Sequence, residues 1–144
     1  MTRILVAILA CSVWLKSHGS SLHEPNFETQ NSRHWVITVT QPGCRYCERL
    51  EQEVLQPLRA SQLFDSKVRF TTVSIATGVR IKDFNGKIID SIDFASRYSE
   101  AGTPTVLFLN SQGAILAEPI FGLPDAIDYY AYYLEETIRS LPQP

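Results

Sequence analysis

Cys44 and Cys47 stand three residues apart in "PGCRYC", where a β-branched run gives way to a helical pattern. Such a pair can hold a metal, close a small loop, or pass electrons by opening and closing a disulfide. A structural zinc site takes about four N or S ligands. The pair supplies two, and of the three histidines only His34 is near it in sequence. A staple across two residues removes little chain entropy. Redox exchange is the chemistry the pair suits best, with no metal and no cofactor beyond the two sulfurs.

At the start of a helix, residues i and i+3 share a face, and their Cα atoms fall within the roughly 4.4–6.8 Å that a disulfide needs. The unpaired N–H groups of a helix start favour an anion, here a thiolate. Arg45 adds a cation beside it, and Tyr46 completes the dipeptide expected to tune it. A thiol of pKa about 8.5 is ~3% ionised at pH 7, whereas one lowered to about 6.5 is ~75% ionised. Cys44, at the exposed front, is the expected nucleophile. Cys47, one turn deeper, is the expected resolving thiol.

The elements that must position this pair can be read from periodicity. "HWVITVT" (34–40) is a buried strand ended by Pro42-Gly43. Leu50, Val54, Leu55 and Leu58 then recur with helical spacing, Glu48, Glu51 and Glu53 load the front of the helix with acid, and Pro57 should kink or end it. Residues 67–77 form a second strand. Residues 78–90 are either a hairpin about Asn85-Gly86 or an excursion. A short helix follows, capped by Ser91 or Asp90. A buried strand starts at Pro104, "SQG" turns it into a partner strand, and 125–141 is a helix with Pro124 suited to its first turn. The first strand pair, joined by a helical crossover, should be parallel, and the last, joined by a tight turn, antiparallel. The fold class is α/β, a mixed central sheet flanked by helices.

The chain has 144 residues, one domain's worth, with 44% hydrophobic and 10% aromatic residues, enough for a core without staples. Charged residues make up 19% and the net charge is −2, which gives no reason to expect nucleic acid. Residues 1–21 read as a signal peptide or N-terminal anchor: Arg3 precedes an apolar run too short to span a bilayer. The third cysteine, Cys11, lies inside that run, where lipidation is an alternative to cleavage. Residues 22–33 are a polar linker or short first helix, and 34–144 form the domain.

"PGCRYC" at a strand–helix junction, with "GTPTVLFLNSQG" about sixty residues later and a final helix, resembles the thioredoxin superfamily. The insert followed by "FASRYSEAGTPTVLFLNSQG" is most similar to exported thioredoxin-like proteins of the SoxW and SoxS type. The resemblance implies a thioredoxin fold with an insert before the cis-proline strand, and a protein-disulfide oxidoreductase in the periplasm or otherwise exported. It implies that Thr103-Pro104 is a cis peptide facing the cysteines, with Thr103 backbone groups pairing an extended substrate segment. It implies protein substrates bearing disulfides, and a membrane electron transporter as reductant. A monomer is expected, because no room remains for a dimerisation domain.

The sequence also departs from the family. Cytosolic thioredoxins carry a buried acid six residues before the first cysteine, where this chain has Thr38, and Thr71 and Thr72 fill the middle of the next strand. That leaves open what accepts the proton of Cys47, and Glu48 is expected to point elsewhere. Tyr46 and the threonine before Pro104 resemble disulfide isomerases, so an oxidase or isomerase is the alternative enzyme. A non-catalytic binding module on the same scaffold is the alternative outside enzymes. Ile127, Tyr130, Leu134 and Ile138 mark the core face of the last helix. Tyr129 and Tyr132 should pack on the 78–90 insert, Trp35 in the core, and His34 at a strand edge. Lys82, Asp83 and Lys87 should form a solvated face.

Overall fold

The structure, a computed structural model, describes residues 26–27, 33–98 and 102–144. The expected leader, Cys11 and most of the expected linker at 22–33 lie outside the described residues. Strand β1 (His34–Thr40) is followed by α1 (Arg45–Leu50), a π-helical turn (Glu51–Leu55) and α2 (Gln56–Ala60). Then come β2 (Val68–Ser74), β3 (Arg80–Lys82), β4 (Ile88–Asp90), α3 (Ser91–Ser96), β5 (Thr105–Leu109), β6 (Ile115–Phe121) and α4 (Ile127–Ser140).

The main sheet has the order β2-β1-β5-β6. β1 pairs β2 in parallel and β5 antiparallel, and β5 pairs β6 antiparallel, as the connections require. Central β1 and β5 are buried on both faces, which is why both read as continuous apolar runs. Alternation divides the core in two. Val36, Val68, Val106 and Phe108 face the helical run 45–60 and α4. Ile37, Val39, Val73, Leu107 and Leu109 face Phe27, Ile81 and Phe94 from the opposite side.

That division corrects one expectation. Residues 78–90 form a hairpin, β3 with β4, on the Phe94 side, whereas α4 packs on the other face. Tyr129 and Tyr132 therefore have no insert to pack on and stand exposed. Tyr130, Leu134 and Ile138 are buried as their spacing requires, and Leu134 and Ile138 each contribute about 1.5–3 kcal/mol by leaving water. Burial raises the Tyr130 phenol above its ordinary pKa. α4 begins at Ile127, so Pro124 precedes its first turn rather than occupying it.

Pro57 does not end the helix. The turn before it widens, so that Gln56 donates its N–H to the Glu51 carbonyl, five residues back. The helix then resumes with Pro57 in the first turn of α2, where a missing N–H costs nothing. Asp83 is not on a solvated face either. Its buried carboxylate accepts from Arg97 at 2.8 Å and from the Phe84 N–H at 2.9 Å, because the Asn85-Gly86 turn folds it under the hairpin. His34 lies at the start of a central strand, buried, with Nε2 3.1 Å from the Pro142 carbonyl.

Candidate active site

β1 delivers the chain to the Pro42-Gly43 turn, and Gly43 takes φ +71, a conformation that favours glycine. Cys44 then caps α1 in extended geometry, and its sulfur accepts the N–H of Cys47 at 3.2 Å. A residue bonding the N–H three positions on is an N-cap by function, here with sulfur in place of the usual side-chain oxygen. The two cysteines form a disulfide with Cα atoms 5.2 Å apart. Their burial differs: Cys44 is part-exposed, whereas Cys47 is 6% exposed beneath it.

Thr103 and Pro104 meet the pair from almost sixty positions further along the chain. The Thr103–Pro104 peptide is cis, and the Thr103 hydroxyl donates to the Cys44 sulfur at 3.6 Å. Beside it runs a groove of 330 Å³ lined by Tyr46, Thr103, Pro104, Leu123 and Asp125, shaped by the Gly122 N–H, which donates to the Pro104 carbonyl at 2.8 Å. Arg45 and Tyr46 are both exposed, with the guanidinium 5.1 Å from the Tyr46 ring centroid. They stack on each other, and no hydrogen bond joins Arg45 to the sulfur. Trp35 is core at the opposite end of β1, against Phe27.

A second pocket, of 230 Å³, lies on the inner side of the pair. It is lined by both cysteines, Thr38, Thr40, Gln41 and Thr72, and by the carboxylate-bearing Glu48 and Glu51. Thr38 and Thr72 are register partners, so two adjacent strands place hydroxyl-bearing residues where the same face elsewhere carries valine and phenylalanine. Glu48 thus borders the cysteines rather than pointing away. The helical spacing could have found this: Cys44 to Glu48 and Cys47 to Glu51 are each i, i+4. A larger cavity of 610 Å³ borders β2, but neither cysteine lines it.

The thioredoxin-like domain family matches residues 27–135, from Phe27 through most of α4. The chain belongs to that family. Among solved structures, this thioredoxin-like protein is similar to a DsbH oxidoreductase at 14% identity and TM-score 0.54, covering 77% of this chain and 76% of the other. A thioredoxin-fold protein from Helicobacter pylori is 15% identical with TM-score 0.52, covering 78% and 76%. A thioredoxin from Thermus thermophilus is 22% identical with TM-score 0.51, covering 74% and 72%. At such identities the likeness shows the thioredoxin fold. No curated protein sequence gives a significant match. No helix among the described residues is long and apolar enough to cross a membrane.

Proposed function

We propose that the protein is an exported thiol–disulfide oxidoreductase that reduces disulfides in other proteins through Cys44 and Cys47. The observation that carries this reading is the unequal setting of the two sulfurs. Cys44 is part-exposed, and its sulfur meets the Cys47 N–H and the Thr103 hydroxyl, while Cys47 is buried one turn behind. Two donors aimed at one sulfur stabilise its thiolate, the form that attacks.

In the reductive direction, the Cys44 thiolate attacks a substrate disulfide and forms a mixed disulfide. Cys47 then attacks the Cys44 sulfur, the substrate leaves as a thiol, and the protein is left oxidised. The groove beside Tyr46, Thr103 and Pro104 takes an extended substrate segment, with Thr103 backbone groups pairing it as an added strand. The apolar leader supports export to the periplasm, with cleavage or anchoring as the two outcomes. A membrane electron transporter is the fitting reductant for an exported domain of this kind.

The Thr103 hydroxyl also favours a second reading. Each donor that stabilises the reduced sulfur makes the disulfide a stronger oxidant, the property of an oxidase or isomerase. The reduction potential against glutathione separates the two. A value near about −270 mV supports a reductase, and one near about −120 mV supports an oxidase. Failure to exchange with glutathione at all would overturn both and leave a binding module.

A further inference from the structure

Release of substrate requires Cys47 to become a thiolate, and Cys47 is only 6% exposed. Burial in apolar surroundings opposes thiolate formation, so a nearby group must take the proton. The strands facing Cys47 across the 230 Å³ pocket contribute Thr38, Thr40 and Thr72, none of which is a base at neutral pH. Besides the cysteines, the titratable residues lining the pocket are Glu48 and Glu51, both from the helical run. Glu48 lies i, i+4 from Cys44, whereas Glu51 lies i, i+4 from Cys47, and the Glu51 N–H bonds the Cys47 carbonyl.

Arg59, two turns further along, pairs with Oε1 of Glu51. Glu51 opens the widened turn at 51–55, and Arg59 follows it in α2. Arg59 engages one carboxylate oxygen, and each carboxylate has two. A volume of 230 Å³ has room for several waters at about 30 Å³ each to carry a proton between carboxylate and thiol.

Building on the oxidoreductase reading above, we propose that Glu51 is the proton acceptor for Cys47, supplied by the helix instead of the strand and held by Arg59. The Cys47 thiol passes its proton to the Glu51 carboxylate. The resulting thiolate forms a bond to the Cys44 sulfur as the bond from Cys44 to the substrate sulfur breaks. The electron pair of that bond leaves on the substrate sulfur, which takes up the proton from Glu51. The cysteines are oxidised, the substrate is reduced, and Glu51 returns to carboxylate.

Ellman's reagent tests this without a natural substrate. Reduced protein should release one thionitrobenzoate as Cys44 attacks and a second as Cys47 expels it. In Glu51→Gln the first phase should match the wild type, which shows the fold and Cys44 intact. The second phase should slow tenfold or more at pH 7 and should rise with hydroxide across the range where the wild type is flat. Glu51→Asp should recover part of the rate. An unchanged or faster second phase in Glu51→Gln overturns the proposal, since Glu51 would then act only as a repelling charge. Loss of the second phase in Glu48→Gln but not in Glu51→Gln overturns it equally. Failure of the wild-type cysteines to exchange with glutathione would instead sink the oxidoreductase reading, whatever these phases show.

Discussion

The Thr103 hydroxyl donates to the Cys44 sulfur across 3.6 Å, joining residues 59 positions apart. One end of this contact is the cap of α1 and the other is the turn that leads into β5, which meets β1 in the centre of the sheet. The sheet register therefore holds a donor against the sulfur most exposed to a partner.

Thr103→Ala should make Cys44 less reactive. At 3.6 Å the bond is long, so its loss is worth about 0.5–1.5 kcal/mol rather than the larger value of a short charged bond, roughly a two- to tenfold change. The measurement is the alkylation rate of the reduced protein by iodoacetamide at pH 7. A rate equal to or above that of the wild type would mean the contact does not act on the thiolate.

Cys47→Ser should trap substrates. Cys44 keeps its contact to Thr103 and the N–H at position 47, so it can still open a substrate disulfide. No second thiol then remains one turn away to release the adduct. Cys44→Ser should trap nothing, because the remaining sulfur is buried. Non-reducing gels of extracts containing each variant show the contrast, and adducts from both variants would exclude this division of roles.

Arg97→Ala should cost more stability than Asp83→Asn. The Asp83 side chain is 3% exposed and the Arg97 side chain 43%. Removing Arg97 strands a buried carboxylate on the Phe84 N–H alone, a loss of about 2–3 kcal/mol after allowing for the partner's exposure. The amide of Asp83→Asn has one oxygen, which can keep the Phe84 N–H, while the part-exposed Arg97 turns to water, so about 1 kcal/mol is expected. The double variant should recover part of the Arg97→Ala loss, because the stranded charge is gone. Urea unfolding of the three variants decides the order.

Gly113→Ala should destabilise strongly and Gly78→Ala weakly. Both glycines have positive φ, +84 and +81, which costs any L side chain about 1–2 kcal/mol. At Gly113 the new methyl would also lie 2.5 Å from Cδ2 of Phe84, whose ring stacks on Phe27 at 4.9 Å. Overpacking adds about 1–3 kcal/mol, while nothing lies within 4 Å at Gly78. Thermal unfolding midpoints that fall equally in the two variants would contradict the crowding.

Local pattern determines much of this protein. The apolar runs of β1 and β5, the 3.6-residue stripe of α4 and the turn chemistry at Pro42-Gly43 each follow from short-range periodicity and backbone preference. These, with the cysteine spacing, were enough to place a dithiol at the front of a helix in a mixed sheet. Tertiary structure decided what that local pattern could not carry. It put the hairpin and α4 on opposite faces, which left Tyr129 and Tyr132 exposed, and it drew Asp83 inward to meet Arg97. It also brought Thr38 of β1 and Thr72 of β2 to one pocket with Cys47 and Glu51. Periodicity says which side of its own element a residue occupies. Which residue of a distant element stands opposite depends on register and on the closing of the sheet, and those are set by packing summed over the whole core.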